Sequence, residues 1–206
     1  MGLDDNGPYT IMKLVDKRTL SDVITKARRK RLRSYDLNEV LITFLKICDA
    51  ISYAHSKGVI HLDLKPENVN IGKHGEVMVC DWGISKIVDV PEGSDSNAML
   101  DPGLYNDFTL DNVIKGSLGF MAPEQFKQSI AEKSMCTDVY QLGGVLYMML
   151  CFRAPIEGES LSEYAKKTLK GVIVPPDVYK HDYFDIPVEI SQVCMKALEK
   201  KSLDRY

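Results

Sequence analysis

The sequence predicts an α+β fold in which a few short β-hairpins precede a group of packed helices. Three kinds of segment carry this prediction. They are short β-branched segments next to turns, a long segment with apolar residues three and four positions apart, and a later segment that is apolar nearly all round. With 206 residues, of which 45% are hydrophobic, the chain is long enough to bury a substantial core. No internal repeat or linker divides it.

Strand candidates lie at the start of the chain and in its middle. Asn6-Gly7-Pro8 predicts a turn, and residues 9–15 after it are strand-like. Further short strands are expected at residues 59–60, 69–71 and 77–80. Residues 84–120 lack strong periodicity and contain Pro, Gly, Ser and Asn, so they predict a long loop.

Two helices are expected in the first part of the chain, each opened by a polar cap. Thr19 predicts the cap of a short helix over residues 19–24, and Asp36 with Glu39 fits a capping box that opens a long helix. The apolar residues of this long helix predict one buried stripe: Leu37, Val40, Leu41, Phe44, Cys48 and Ile51.

Three further helices are expected towards the end of the chain. Thr137 should cap a helix over residues 138–150, which is apolar nearly all round and is therefore expected in the middle of the domain. Ser160 with Glu163 predicts another capping box. A last amphipathic helix is marked by Ile190, Val193, Cys194, Ala197 and Leu198.

Charge and cysteine content exclude several classes of function. A formal net charge of -3 predicts no general attraction to nucleic acid or to an anionic membrane. The five cysteines are scattered and lack C-x-x-C spacing, which indicates free thiols in a reducing compartment. The longest apolar run, residues 142–152, is too short to span a bilayer, and no secretory signal pattern follows Met1. We therefore expect a cytoplasmic protein, or the cytoplasmic domain of a longer one.

The strongest functional signal is His-Leu-Asp-Leu-Lys-Pro-Glu-Asn at residues 61–68, followed after a hairpin by Asp-Trp-Gly. The carboxylate of Asp63 can orient an attacking hydroxyl, and the ammonium of Lys65 can neutralise charge on a moving phosphoryl group. Asn68 and Asp81 offer the hard oxygen ligands that Mg²⁺ prefers. This set of groups is what phosphoryl transfer from a nucleotide requires.

These segments resemble the catalytic loop, H-R-D-x-x-x-x-N, and the magnesium loop, D-F-G, of protein kinases. Four later segments resemble further kinase motifs in the correct order: residues 116–120 the substrate loop G-T-x-x-Y/F, residues 121–124 the A-P-E segment, residues 138–143 the central-helix motif D-V-Y-S-L-G, and residues 196–206 the terminal K-A-L-x-K-D-P-x-x-R-Y. The catalytic and magnesium loops depart from the pattern twice, with Leu62 in place of Arg and Trp82 in place of Phe.

The resemblance implies a protein kinase-like fold, mainly its helical C-terminal lobe with short β-hairpins. It implies ATP and Mg²⁺ as cofactors and a protein with a Ser or Thr hydroxyl as substrate, because Lys65 and Ser117 match the serine/threonine branch. Residues 1–15 correspond to a remnant of the N-terminal lobe and hinge, and residues 16–206 to a C-terminal lobe without its last helices. The glycine-rich loop and the nucleotide-pairing Lys and Glu would lie upstream of Tyr9, so we expect little activity from this chain alone.

The resemblance also implies the site residues. The catalytic residues would be Asp63, Lys65, Asn68 and Ser117, with Ser117 bridging Asp63 and Lys65. Met12 would be the gatekeeper beside the nucleotide, and Lys13 and Val15 would offer backbone groups of the hinge to the adenine. Asp22 would contact the ribose, and Asn70 would lie beneath the adenine. Lys65 and Asp81 would act on the phosphate side. The metal ligands would be Asn68 and Asp81.

Four other residues are expected to support the site. Asp138 should accept hydrogen bonds from backbone N–H groups of the catalytic loop, and Arg205 should pair with Glu124. His61 is expected to be a packed scaffold residue, not a base or a metal ligand. The remaining histidines show no metal-ligand spacing and predict ordinary surface or core positions.

Two charged segments and one substitution bear on regulation. The family's Arg before the catalytic Asp binds an activation-loop phosphate, which Leu62 cannot do. Residues 87–114 carry six acidic residues and no basic one, which predicts a solvated, partly disordered insertion, or an acidic flap that favours basic substrates or occupies the substrate groove. Residues 26–33 contain six basic residues, which predicts a solvated helix end or a patch for nucleic acid or an acidic partner.

Two other classes of function remain open at this stage. The lobe could act as a pseudokinase or scaffold that binds partners without catalysis. It could also be a small-molecule kinase of the aminoglycoside phosphotransferase type, whose H-x-D-x-x-x-x-N and I-D-W patterns resemble residues 61–68 and Asp81-Trp82. The Ala-Pro-Glu segment argues against this second alternative, because those enzymes lack it.

Overall fold

A computed structural model describes the backbone of residues 2–4 and 7–9, and both backbone and side chains of residues 18–32, 35–88, 117–126 and 133–206. Five α-helices lie within these residues: Leu20–Arg28, Leu37–Ser56, Met135–Cys151, Leu161–Lys170 and Val188–Ala197. Six short strands accompany them: β1 Gly2–Asp4, β2 Gly7–Tyr9, β3 Val59–Ile60, β4 Val69–Ile71, β5 Val77–Val79 and β6 Lys86–Ile87. The predicted α+β class is confirmed.

The strands form three antiparallel pairs, β1 with β2, β3 with β6 and β4 with β5. Two expectations about them were wrong. Gly7 and Pro8 lie in β2 and not in a turn, which a two-stranded ribbon tolerates because proline is acceptable on an edge strand. Strand β6 lies inside the predicted loop over residues 84–120, and it is too short to show periodicity in the sequence. The other residues predicted as strand, 10–15, lie outside the described residues.

The caps predicted for the first two helices are present. Thr19 and Asp22 form a reciprocal capping box, with N-to-O distances of 3.1 and 3.0 Å. This helix continues to Arg28, beyond the predicted end at residue 24, because Ala27 continues its buried face. Asp36 accepts from the backbone N–H groups of Asn38 and Glu39, at 2.9 and 3.4 Å, and so caps the long helix. The reciprocal bond from the Glu39 side chain, which the predicted capping box requires, is absent from the described contacts of this helix. The residues of the long helix that are most buried are Val40, Ile47, Ile51 and Ala54, two of which the predicted stripe did not include.

The central helix, Met135–Cys151, lies in the middle of the fold as predicted. It starts three residues earlier than expected. Ser134 is its cap, and Thr137 belongs to the first turn, where its Oγ1 accepts a hydrogen bond from the backbone N–H of Ser134 at 3.1 Å. Apolar residues on several sides of this helix are at most 2% exposed, including Val145, Leu146, Met149 and Leu150. The long helix and the last helix both pack against it.

The two remaining helix predictions are confirmed with one adjustment. Ser160 caps Leu161–Lys170 by accepting from the backbone N–H of Glu163 at 3.2 Å. The Glu163 carboxylate accepts from the backbone N–H of Glu159, one position before the residue that a standard capping box would use. Val188–Ala197 is the predicted last amphipathic helix, with Cys194 and Ala197 buried.

The basic run at residues 26–33 is solvated where the structure describes it, since its basic side chains from Lys26 to Arg31 are all exposed. Lys30 forms an exposed ion pair with Asp182. The helix ends at Arg28, and the exposed basic side chains are compatible with both predictions, a solvated helix end and a patch for nucleic acid or an acidic partner. The acidic segment predicted over residues 87–114 lies, after Val88, outside the described residues.

A buried ion pair joins the 3₁₀ turn Pro123–Phe126 to the last described turn of the chain. The Arg205 guanidinium donates to both carboxylate oxygens of Glu124, at 2.8 and 3.0 Å, as expected. Thr137 also donates to Glu124, at 2.9 Å, and the guanidinium makes further bonds to the backbone C=O groups of Cys136, Glu199 and Lys200. Because every charged atom of this pair has partners, it can be accommodated in the core.

We predict that Glu124→Gln lowers the free energy of unfolding by about 3–5 kcal/mol, because it leaves the Arg205 guanidinium buried without a counter-charge. Urea denaturation at pH 7 measures this change. A matched control is Glu157→Gln, which removes the exposed partner of Arg153 and should cost about 0–1 kcal/mol.

The same pair predicts a pH dependence of stability. Burial alone would raise the pKa of Glu124, but the hydrogen bond and charge of Arg205, a backbone hydrogen bond and the Thr137 hydroxyl together outweigh it and hold this pKa below its usual value of 4.5. A folded pKa below the unfolded one contributes stability above about pH 4.5, and this contribution is lost as the pH falls through the folded pKa. The difference between wild type and Glu124→Gln should therefore shrink below about pH 4.5. A difference that stays constant down to pH 3 would contradict this account.

Candidate active site

The catalytic loop, residues 61–68, is held from behind by one carboxylate on the central helix. Asp138 accepts hydrogen bonds from the backbone N–H groups of His61 and Leu62, both at 2.8 Å, as the sequence predicted. A third bond, at 2.8 Å, joins the same carboxylate to Nε2 of His55. Three partners compensate a charge that is fully buried. The sequence did not reveal the role of His55, because its partner lies 83 positions away.

Leu62 adopts left-handed backbone geometry, with φ of 68°. For a leucine this conformation costs about 1–2 kcal/mol, so the surrounding hydrogen bonds must hold it. The side chain is only 3% exposed and packs in the interior. An apolar, buried side chain at this position cannot pair with a phosphate, which agrees with the departure noted in the sequence.

His61 is a packed scaffold residue, as predicted, and it is fully buried. Its ring forms a hydrogen bond through Nε2 with the backbone C=O of Cys80 at 3.0 Å, and its Nδ1 accepts from the backbone N–H of Asp63 at 3.2 Å. Burial lowers the pKa of His61, although the Cys80 carbonyl and three nearby carboxylates oppose this shift. The ring is therefore neutral at pH 7, and it joins the catalytic loop to the segment that carries Asp81.

Trp82, which replaces the family's Phe, packs against this same ring. The centroids of the His61 and Trp82 rings are 4.5 Å apart with a tilt of 56°. The indole Nε1 donates to the backbone C=O of Val79 at 3.1 Å, so its polar atom is satisfied. The larger aromatic ring therefore fits the site without leaving an unpaired donor.

The structure brings the four predicted catalytic residues together. The Lys65 ammonium contacts Asp63 Oδ2 at 2.7 Å and Ser117 Oγ at 2.6 Å. Asn68 donates from Nδ2 to Oδ2 and to the backbone C=O of Asp63, at 3.0 and 2.8 Å. Ser117 was expected to bridge Asp63 and Lys65 directly, and it reaches Asp63 through the ammonium. The Asp63 carboxylate is therefore oriented from two sides.

A backbone hydrogen bond joins the two segments that carry the candidate metal ligands, Asn68 and Asp81. The N–H of Cys80 donates to the C=O of Asn68 at 2.8 Å, and Asp81 follows Cys80 in an exposed position with φ of 63°. Nδ2 of Asn68 donates to Asp63, and Oδ1 is the atom of this amide that can bind a cation. One amide oxygen and one carboxylate fit Mg²⁺, which takes few protein ligands and completes its shell with water and phosphate. The described residues contain no group of three or more His, Cys, Asp or Glu placed to hold a metal.

The residues expected to bind the nucleotide are only partly described. Met12, Lys13 and Val15 lie outside the described residues. Asp22 is exposed in the first turn of the first helix, where its carboxylate accepts a hydrogen bond from the backbone N–H of Thr19. Thr19 in turn forms an antiparallel β-bridge with Asn70 on β4. Asn70 donates to Sγ of Cys80 at 3.1 Å, which places it beside the Asp81 segment. The structure therefore brings Asp22, Asn70 and Asp81 towards one edge of the fold.

Two glutamines contact the catalytic loop and were missed at the sequence level. Gln141 binds the backbone of Leu62 and Leu64, and Gln125 binds the backbone of Leu62 and Ala122. A signal for Gln141 was present, because a polar residue stands in a segment that is otherwise apolar. No signal marked Gln125, which lies 63 positions from its partner on the loop.

The fold and the site define a phosphotransferase of the kinase class, with a helical lobe that carries an Asp-Lys-Asn catalytic loop. Comparison with known families agrees, since the chain matches the protein kinase domain over residues 3–205. The chain therefore belongs to the protein kinase family, and the predicted family and fold are confirmed.

The curated relatives of this chain are serine/threonine-protein kinases. The chain is 32% identical over 212 residues to the serine/threonine-protein kinase PknD of Protochlamydia amoebophila, an alignment that covers 98% of this chain and 21% of the relative. It is 32% identical over 216 residues to PknD of Chlamydia trachomatis and 31% over 211 residues to PknD of Chlamydia caviae, covering 98% of this chain and 22% of each relative. The chain thus spans about a fifth of the length of the curated relatives it matches.

All five cysteines are free thiols, as their spacing predicted. Within the described part of the chain, no helix combines the length and the apolar character needed to cross a bilayer.

The buried position of Leu62 predicts that kinase activity does not depend on phosphorylation of the long loop. In the protein at its full natural length, changing Ser94, Ser96 and Thr109 together to Ala should leave kcat within about twofold, because position 62 offers no cation for a phosphate. Steady-state kinetics before and after phosphatase treatment measure the effect independently of these substitutions. A loss of tenfold or more, about 1.4 kcal/mol in the barrier, would show that another cation binds a loop phosphate.

Proposed function

We propose that this chain carries the catalytic centre of a serine/threonine protein kinase, which transfers the γ-phosphoryl group of ATP to a Ser or Thr hydroxyl of a protein. One observation carries the proposal: a single ammonium, Lys65 Nζ, contacts both Asp63 Oδ2 and Ser117 Oγ. Lys65 thereby joins the catalytic loop to the loop that resembles the family's substrate loop. A hydroxyl placed between these loops would lie near both a proton acceptor and a cation.

Asp63 would act as the group that orients and deprotonates the attacking hydroxyl. Its carboxylate is held by Lys65 and Asn68, so one oxygen keeps a fixed direction. The hydroxyl would donate a hydrogen bond to this carboxylate and lose its proton to it as the new P–O bond forms. General-base help of this kind contributes about 10²–10⁴-fold to the rate.

Lys65 and Ser117 would act on the transferring group and on its placement. The ammonium can neutralise charge that develops on the equatorial phosphoryl oxygens, a form of stabilisation that is strong where water is excluded. The side chain of Lys65 is only 14% exposed, so its charge is poorly screened. The Ser117 hydroxyl fixes the position of the ammonium relative to the substrate loop.

ATP, bound with Mg²⁺, would supply the phosphoryl group and offset its negative charge. Asn68 Oδ1 and the Asp81 carboxylate would hold the metal. The nucleoside would be contacted by five residues: Met12, Lys13, Val15, Asp22 and Asn70. The amide of Asn70 places a polar group where related sites have an apolar one, so we expect weaker packing under the adenine.

We also propose the substrate class, the location and the domain assignment of this chain. We expect protein substrates, no specific nucleic-acid partner, and a cytoplasmic location for this domain, whether alone or within a longer protein. We assign residues 1–15 to the hinge side of the kinase domain and residues 16–206 to its C-terminal lobe. Oligomeric state is left open.

The test is to change Asp63 and Asp81 separately to Ala in the protein at its full natural length. We predict a loss of at least about 10²-fold in Mg²⁺-dependent transfer of labelled phosphate from ATP to a Ser/Thr-containing protein. The melting temperature should change by only a few degrees, because Asp81 is exposed and Asp63 lies in a loop. Asp49→Ala, at an exposed position on the long helix, is the matched control and should retain activity.

The outcomes separate the alternatives. Turnover near that of wild type in either variant would contradict the assigned roles. A folded wild-type protein that binds partners but transfers no phosphate would favour the scaffold alternative. Phosphorylation of aminoglycosides in preference to proteins would favour a small-molecule phosphotransferase.

A further inference from the structure

A glutamine side chain on the central helix brackets the catalytic aspartate. Gln141 is 1% exposed, and its Oε1 accepts a hydrogen bond from the backbone N–H of Leu64 at 3.0 Å. Its Nε2 donates to the backbone C=O of Leu62 at 2.9 Å. These groups belong to the two peptide units that flank Asp63. One carboxamide therefore holds the backbone on both sides of the residue that would accept the substrate proton.

A second glutamine extends this contact to the substrate side. Gln125 donates from Nε2 to the same Leu62 carbonyl at 2.8 Å. Its Oε1 accepts from the backbone N–H of Ala122 at 2.8 Å and from Nε2 of Gln141 at 3.0 Å. Ala122 lies in the Ala-Pro-Glu segment, two positions after the substrate loop that carries Ser117. The two carboxamides thus form a continuous hydrogen-bonded path between the catalytic loop and the segment that continues the substrate loop.

The network is complete and its chemistry is specific. Each of the four carboxamide heteroatoms has a partner, and Gln141 is buried while Gln125 is half-buried, so the network favours one arrangement of both side chains. Gln141 must accept on one side of Asp63 and donate on the other, which a carboxylate or an apolar side chain cannot do. The similar family motif, D-V-Y-S-L-G, has a serine at this position, whose single hydroxyl sits on a shorter side chain.

The network is also neutral, and this matters because Leu62 supplies no cation. Where an arginine precedes the catalytic aspartate, a loop phosphate can bring the two loops together by ion pairing. Here the carbonyl of Leu62 receives two amide donors, and the left-handed backbone of that residue points it at both. The connection between the loops is made by hydrogen bonds that need no modification.

We propose that Gln125 and Gln141 are positioning residues of the phosphotransferase site, which align Asp63 with the substrate loop in place of an arginine–phosphate pair. The inference rests on the proposed kinase function. Neither glutamine contacts the reacting atoms, and both act through the backbone of the catalytic loop. Displacing a reacting group by about 1 Å can cost about 10²-fold in rate, so the effect should be large.

The test is steady-state kinetics of Gln125→Met and Gln141→Met, singly and together, in the full-length protein. We expect kcat to fall about 10–100-fold in each variant, while KM for ATP stays within about twofold. The double variant should lose less than the product of the single losses, because both side chains bind the Leu62 carbonyl. Gln141→Glu keeps the size of the side chain but not its donor, and should lose kcat as Gln141→Met does.

Gln192→Met makes the same change at an exposed position of the last helix and should leave kcat unchanged. Melting temperatures show which variants fold, and Gln125→Met, at a half-buried position, carries the test if Gln141→Met does not fold. An unchanged kcat in the folded variants, or multiplicative losses in the double variant, would overturn the inference while the kinase function stands. A wild-type protein without kinase activity would overturn the proposed function, and this inference with it.

Discussion

The carboxylate of Asp138 is buried at the start of the central helix, where it binds the backbone N–H groups of His61 and Leu62. A buried charge is costly unless hydrogen bonds compensate it, and a left-handed leucine is costly unless its surroundings hold it. Each of these costs is offset by the same pair of bonds. The helix and the loop are therefore stable only together, and the position of Asp63 depends on a carboxylate that never meets the substrate.

From this contact outward, the site is built from loops fixed by side chains on regular elements. The central helix contributes Asp138 and Gln141, the long helix contributes His55, and β5 leads into Cys80, whose carbonyl receives the His61 ring. Functional sites are more precisely placed when rigid elements support them. The reactive groups keep some access to solvent, while the groups that hold them are almost fully buried. Chemistry and support are thus divided between the surface and the core.

Much of the site could be predicted from the sequence, because its motifs are local. The spacing of Asp63, Lys65 and Asn68 places three functional groups on one loop, and the structure brings their side chains into contact. His55 and Gln125 could not be found in this way, because each meets its partner across more than sixty positions of the chain. Helix ends and the two-residue strand β6 were also missed, since packing across the core decides them and not local periodicity.

The pairing of Glu124 with Arg205 also sets an order of events during synthesis. The two residues are 81 positions apart in the chain. Domains emerge from the ribosome with their N-terminal parts first, so Glu124 is available long before its partner. Until then, its carboxylate cannot be buried without a large cost. The segment that follows the substrate loop can therefore reach its final position only after the chain has been made through residue 205.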